Sequence, residues 1–118
     1  MSIAAMHYAR FCAEVVSKQR VYTFTDVEEL LIYPIRGGEV VPFWSSHSRL
    51  LRIANAHPKY ARHSISQYTM PEFDKWLIQL QDENLLVGVN WAGPRLVGFN
   101  VTVEELRASM QSRSAPSS

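Results

Sequence analysis

One uninterrupted stretch of the chain, residues 69–91, reads TMPEFDKWLIQLQDENLLVGVNW. It begins with a capping box, in which the Thr69 hydroxyl accepts a hydrogen bond from the helix backbone and the Glu72 carboxylate reaches back to Thr69. Apolar side chains within residues 73–80 then recur at i, i+3, i+4 and i+7, which is the repeat of a helix with one buried face. Asn84 tolerates the left-handed conformation that ends many helices. We therefore predict a helix that ends near Asn84, followed at once by a strand.

The predicted strand covers residues 85–91, LLVGVNW. Every second side chain from Leu85 to Trp91 is large and apolar, so we expect these side chains to share one face of a sheet. A helix that is followed directly by a strand generally packs back against the sheet, which places Trp76 of the helix against the strands. We expect Trp76 to be mostly buried, and its replacement by alanine to cost about 3 to 5 kcal/mol of stability.

The same periodicity arguments extend to the rest of the chain. They predict a helix over 2–19, strands over 21–24, 30–33 and 40–44, a helix from Ser45 or Ser46 to the residue before Pro58, a strand over 96–101 and a last helix capped by Thr102. The second helix is expected to turn Leu50, Leu51 and Ala54 inward, and residues 59–68, which show no clear period, are expected to form a loop. The order α-β-β-β-α-α-β-β-α indicates an α+β fold, with a mainly antiparallel sheet and helices packed mostly on one face.

Length, composition and charge narrow the class of protein. The chain has 118 residues, of which 47% are apolar and 19% charged, as in ordinary globular proteins. We predict a single domain over residues 1–110 and a disordered polar tail over residues 111–118. The formal net charge of +1 supplies no long-range field, so nucleic acid is not the expected partner. The first segment lacks the basic region of a signal peptide, and no window is apolar enough to span a membrane, so we expect a cytoplasmic protein.

A search for reactive side chains finds no pattern that specifies a reaction. The four histidines have no metal-ligand spacing, and Cys12, the single cysteine, lies on the predicted core face of the first helix. Ser45 and Ser46 precede His47, but we interpret them as the cap of the second helix rather than as nucleophiles. We therefore predict no catalytic residue, no metal ligand and no cofactor, and we expect that the protein is not an enzyme.

The segment from His47 to His63 has a local bias, because it holds several basic side chains and no acidic one. It could be a solvated face balanced by acidic side chains elsewhere in the fold, or a surface that binds an acidic protein, a phosphate or a nucleic acid strand. Interface hot spots favour tryptophan, tyrosine and arginine, and Trp44 could serve as an apolar anchor. The candidate protein-binding surface comprises Trp44, His47, Arg49, Arg52, Lys59, Tyr60 and Arg62.

Three sequence elements follow one another along the chain: VVPFWS at 40–45, the spacing F-x-x-W-L-x-x-L at 73–80, and LVGVN at 86–90. In these elements the chain resembles a family of small bacterial single-domain proteins known only as a domain of unknown function, with the similarity covering about residues 3 to 110. The resemblance implies a small cytoplasmic bacterial protein and carries over no catalytic residue and no cofactor. Some similar stand-alone α+β proteins are immunity proteins that bind and block a toxin domain.

These observations favour a non-catalytic protein-binding module with an unidentified protein partner, of which a toxin-neutralising immunity protein is one form. A second hypothesis is a small ligand-binding protein or enzyme that uses His47 or His63 beside the strand ends at Trp44 and Trp91, in a pocket of at least about 300 Å³. A third is weak nucleic-acid binding through the basic stretch 47–63. No membrane partner is expected, and a homo-oligomer is left open.

Overall fold

The computed structural model describes residues 3–27, 29–93 and 97–114. The α-helices within these ranges are α1 (Ile3–Lys18), α2 (His47–Ala56), α3 (Met70–Asp82) and α4 (Val103–Ser114). A short 3₁₀ helix, Pro58–Arg62, follows α2. None of the described helices is long and apolar enough to cross a membrane.

The described strands are β1 (Arg20–Asp26), β2 (Glu29–Leu30), β3 (Tyr33–Ile35), β4 (Gly38–Phe43), β5 (Ser64–Thr69), β6 (Leu86–Ala92) and β7 (Val97–Val101). They form a three-stranded sheet in the order β2-β1-β5 and a four-stranded sheet in the order β3-β4-β6-β7. The pairing of β4 with β6 is parallel, and the other pairs are antiparallel. A backbone bridge joins the two sheets, because Tyr22 and Trp44 exchange two N–H to O hydrogen bonds of 2.9 and 2.8 Å.

Alternating side chains of β1 and β4 face two separate cores. The first core cluster lies against α1, α3 and α4 and includes Phe11, Val41, Phe73, Val87 and Leu106. The second core cluster lies on the other face, against α2 and the 3₁₀ helix. It consists of Phe24, Val40, Trp44, Leu50, Ile53, Tyr60 and Trp91.

The α+β class and the predicted order of elements are confirmed, as is the placement of most helices on one face. The capping box of α3 is present, since Thr69 N–H donates to Glu72 and Glu72 N–H donates to Thr69. Asn84 follows α3 with a φ of 57°, the left-handed conformation expected there. Local signals of this kind act through neighbouring residues, which explains why they can be identified in the sequence.

Three stretches differ from the prediction. Residues 30–33, expected to form one strand, are divided between β2 and β3, with Leu31 and Ile32 outside both strands. Residues 59–68, expected to form a loop, contain most of the 3₁₀ helix and the strand β5. Their polar side chains give no apolar alternation, and β5 is held instead by its pairing with β1, which runs from Arg20 opposite Thr69 to Thr25 opposite Ser64. The predicted tail began at Gln111, whereas α4 continues to Ser114, and residues 115–118 lie outside the described residues.

Trp76 does not hold the central position that its spacing suggested. The buried side chains of α3 in the first core cluster are Phe73, Leu77 and Leu80. Trp76 is half-buried at the side of the helix, where its ring centroid lies 6.0 Å from that of Tyr68 on β5. The expectation that Trp76 is mostly buried under the helix is therefore wrong, because Leu77 occupies that place one residue further along.

We predict that Phe73→Ala lowers the free energy of unfolding by about 3 to 5 kcal/mol, since it empties a fully buried site. Trp76→Ala should cost only about 1 to 2 kcal/mol, because part of its ring is already in contact with water. Urea unfolding followed by circular dichroism measures both values. Equal losses of stability in the two variants would contradict the assigned positions of these rings.

Candidate functional site

The strand β6 contains an irregularity at Asn90. Val89 pairs with Phe99 and Ala92 pairs with Val97, so β6 has one residue more than β7 between these pairs. Asn90 has a φ of 48°, a left-handed conformation that asparagine tolerates better than most residues. An extra residue in a strand reverses the side on which the following side chains lie. Trp91 therefore joins the second core cluster, rather than sharing a face with Val89 as its spacing predicted.

Two glycines make room for the indole of Trp91. A Cβ atom on Gly88 would lie 2.5 Å from Trp91 Nε1, and a Cβ atom on Gly98 would lie 2.6 Å from Trp91 Cδ1. Any larger residue at either position would have to displace the ring. The Trp91 Nε1–H donates to Asn100 Oδ1 at 3.0 Å, which fixes the direction of the indole.

The side chain of Asn90 ties the irregular strand to the end of β4 and to α1. Its Oδ1 accepts a hydrogen bond of 2.9 Å from the Ser45 backbone N–H, and its Nδ2 donates to Ser45 Oγ at 3.0 Å. The Ser45 hydroxyl also lies 3.3 Å from Glu14 Oε1 on α1. Glu14 in turn accepts a hydrogen bond of 2.8 Å from Arg49 Nη2 on α2. This polar network joins α1, β4, α2 and β6 at one point.

Trp44 closes the inner end of this region. It is fully buried, and its Nε1–H donates to the Trp91 backbone oxygen at 2.9 Å. Phe24 and Tyr60 stack with ring centroids 4.9 Å apart, and Phe24 also meets the Trp44 ring edge to face. Burial and a hydrogen bond with Tyr60 raise the pKa of Tyr33, which also packs against Trp91. The aromatic cluster is therefore held together by ring packing and by the hydrogen bond of the Trp44 indole.

The helix α2 supplies the opposite wall. Ser46 caps it by accepting a hydrogen bond from the Arg49 backbone N–H. Arg49, Arg52, Ile53 and Ala56 follow at i, i+3, i+4 and i+7, so they lie on one side of the helix. The expectation that Leu50, Leu51 and Ala54 turn inward is partly wrong. Leu50 and Ile53 are buried while Leu51 is exposed, since successive residues of a helix point about 100° apart.

A cavity of about 690 Å³ lies between α2 and the end of β6. We call it the α2–β6 cavity. Its lining residues are Trp44, Arg49, Arg52, Ile53, Ala56, His57, Asn90, Trp91, Ala92 and Gly93. Indole and aliphatic groups thus form part of the wall, and two guanidinium groups, one imidazole and one amide supply its polar side chains.

Positively charged side chains outnumber negatively charged ones in the described lining of the cavity. Arg49 is paired with Glu14, with 2.8 Å between Nη2 and Oε1. Arg52 is exposed and makes no ion pair with any residue that the structure describes. His57 Nε2 lies 3.1 Å from the Gly93 backbone oxygen, so Nε2 carries the donated proton. Because no carboxylate belongs to the described lining, the wall has an excess of positive charge.

The candidate protein-binding surface is divided by the fold. Trp44 and Tyr60 are buried, so neither can anchor a partner at the surface. Arg49 and Arg52 line the cavity, whereas His47 and Lys59 are exposed and do not. The Lys59 ammonium lies 5.2 Å from the centroid of the Tyr60 ring. The side chain of Arg62 lies outside the described residues.

The alternative hypothesis predicts a pocket at the strand ends of Trp44 and Trp91 that contains His47 or His63. Trp44 and Trp91 do line one cavity, yet His47 and His63 lie elsewhere and contact Tyr22 and Tyr60. His57 takes their place in the lining. The signal that could have found it is its position directly after Arg49, Arg52, Ile53 and Ala56 on one helix face.

Two further observations bear on the class of protein. Among the described residues, no three histidine, cysteine or acidic side chains are grouped so that they could hold a metal ion. A family model described as "Protein of unknown function (DUF2750)" matches residues 8–110. Neither the curated proteins nor the solved structures contain a match to the chain.

We predict that Asn90→Gly lowers the free energy of unfolding by about 1 to 3 kcal/mol, because it leaves the buried Ser45 N–H without an acceptor. Asn90→Ala should cost about 1 kcal/mol more, since alanine does not favour a positive φ. Asn84→Gly is the matched control: Asn84 also has a positive φ but is exposed, so the change should stay within about 0.5 kcal/mol. Urea unfolding gives all three values. An Asn90→Gly variant as stable as Asn84→Gly would contradict the role of the amide.

Proposed function

Because the chain belongs to the DUF2750 family, whose description names no function, we propose a function from the geometry of the α2–β6 cavity: the protein binds a small organic molecule there. The family membership agrees with the resemblance predicted from the sequence, and the matched range begins at residue 8 rather than residue 3.

The observation that carries the proposal is the size of the cavity together with its lining. A volume of about 690 Å³ falls in the middle of the range of about 300 to 1,000 Å³ in which proteins hold small ligands. Such sites combine an apolar wall with a few polar groups that converge on one space. Ile53, Trp91 and Ala92 supply the apolar wall, and Arg52 and His57 supply polar groups.

Rigidity supports the proposal as well. The Asn90 side chain and the Trp44 indole N–H both hold the β6 wall by hydrogen bonds that no ligand has to provide. A preformed wall loses little conformational entropy when a ligand enters, so more of the contact energy appears as affinity.

The hypothesis of a protein-binding module, an immunity protein included, is less well supported. The surface predicted for it is basic, has Trp44 as an apolar anchor and includes Tyr60. Both side chains are buried, which leaves His47, Arg52 and Lys59 as the exposed described members of that surface. Without a buried apolar anchor, ion pairs of exposed basic side chains contribute only about 0 to 1 kcal/mol each.

We propose binding rather than catalysis at this site. The Ser45 hydroxyl, which adjoins the cavity wall, contacts Asn90 and Glu14 and is fully buried. A serine nucleophile needs a general base that takes its proton and an open path to the substrate. The contacts of Ser45 instead give it a structural role.

The test is a titration with small aromatic compounds, observed through the tryptophan indole N–H signals in ¹⁵N–¹H spectra. The chain has three tryptophans: Trp44 and Trp91 line the cavity, and Trp76 does not. With indole, benzamide, benzoate and phenyl phosphate as probes, we expect the signals of Trp44 and Trp91 to shift with at least one compound while Trp76 stays in place. Ala56→Phe, which fills the cavity from α2, should abolish the shifts.

Ala13→Phe is the matched control, because Ala13 is an exposed alanine of α1 outside the cavity lining. It should bind like the unmodified protein. The proposal fails if no probe shifts Trp44 and Trp91, or if Ala56→Phe and Ala13→Phe respond alike.

A further inference from the structure

We infer that the α2–β6 cavity takes an organic anion, in which a flat apolar body lies against Trp91 and a negatively charged group meets Arg52. This inference rests on the proposed function and adds the chemical class of the ligand to it.

The charge of the cavity lining is unbalanced. Arg49 and Arg52 both line the cavity, and Glu14, which is not part of the lining, pairs with Arg49 alone. One cationic group is therefore left without a partner among the described residues at the mouth of the cavity. A ligand with a negative group would complete that pairing, whereas a cationic ligand would be repelled.

The position and shape of the Arg52 guanidinium group also favour an anionic ligand. Arg52 lies three residues after Arg49 and four before Ala56, which also line the cavity, so its side chain rises from the cavity side of α2. A guanidinium group presents a planar set of donors that matches the oxygens of a carboxylate, phosphate or sulfonate. Arg49, held by Glu14, stands one turn away and can add a second donor to the same anionic group.

The apolar wall of the cavity determines which kind of ligand body fits there. Trp91 is held over Gly88 and Gly98 by its contact with Asn100, and Ile53 faces it from α2. Trp91 and Ile53 are only 7% and 5% exposed, so the apolar surface that a ligand can still cover consists of their outer edges and of the exposed Ala56 and Ala92 beside them. An inorganic anion would gain nothing from this surface. A planar apolar body fits beside an indole, because aromatic rings stack or meet edge to face.

The negative group of the ligand could be a carboxylate or a phosphate. Both groups present negatively charged oxygens, here carried by an aromatic or similarly flat body. His57 gives no preference between them, since its Nε2–H is engaged by the Gly93 oxygen. The experiment therefore uses a dye that reports occupancy and then distinguishes the two groups by displacement.

The probes are a matched pair of dyes. Anilinonaphthalene sulfonate carries an aromatic body and a sulfonate, and phenylnaphthylamine is the same body without the charge. Both become fluorescent in an apolar site. We expect the folded chain to bind the sulfonate dye at least about tenfold more tightly than the uncharged dye, as for a hydrogen bond to a charged group.

Arg52→Gln should weaken binding of the sulfonate dye by about tenfold and leave the uncharged dye unaffected. Arg36→Gln is the matched control, because Arg36 is an exposed arginine of the turn between β3 and β4, outside the cavity lining. It should leave both dyes unaffected. Benzoate, phenyl phosphate or both should displace the sulfonate dye, and whichever does so identifies the acidic group, while benzamide at the same concentration should not.

The outcomes separate this inference from the proposed function. The anionic class is overturned if the two dyes bind with equal affinity, or if benzamide displaces the sulfonate dye as strongly as the anions do. Either result leaves the proposal of small-molecule binding intact. Loss of the sulfonate dye in Arg36→Gln as much as in Arg52→Gln overturns the assignment to Arg52. Failure of both dyes to bind, or binding that Ala56→Phe does not reduce, overturns the site itself and the proposed function with it.

Discussion

The left-handed backbone of Asn90 and the hydrogen bonds of its side chain hold the end of β6 in a single arrangement. A strand that kept its regular alternation past Val89 would place Trp91 in the first core cluster, beside α1 and α4. The extra residue sends Trp91 to the opposite face, where Gly88 and Gly98 leave space for its ring. Asn90 Oδ1 also accepts a hydrogen bond from the Ser45 backbone N–H. The same residue therefore fixes the point at which the chain leaves β4 and enters α2.

The second core cluster depends on this arrangement. With Trp91 on that face, Trp44 can donate its indole N–H to the Trp91 oxygen, and the stacked ring of Tyr60 completes the layer beneath α2. The helix then stands far enough from the end of β6 to leave the α2–β6 cavity between them. Glu14 reaches the same point from α1 and neutralises Arg49, so Arg52 carries the uncompensated positive charge of the described lining.

The parts of the fold that could be predicted are those in which neighbouring residues determine the structure. Thr69 and Asn84 begin and end α3 through contacts within one or two turns of the helix. The side of the sheet on which Trp91 lies could not be predicted in this way. The alternation of side chains along a strand does not show where an extra residue interrupts it. Gly88 is the one signal in the sequence of this strand, because a glycine inside an apolar strand often marks a bulge or a close approach. The strand β5 was missed because its pairing with β1, rather than its own pattern, holds it in place.

The central proposal is that the space between α2 and the irregular end of β6 is a binding site for an organic anion. A crystal structure of the chain with anilinonaphthalene sulfonate tests it most directly. We predict that the naphthalene rings lie against Trp91 and Ile53, with a sulfonate oxygen within about 3 Å of an Arg52 guanidinium nitrogen. Dye bound in the groove beside Trp76 and Leu80, with the α2–β6 cavity filled only by water, would contradict the claim.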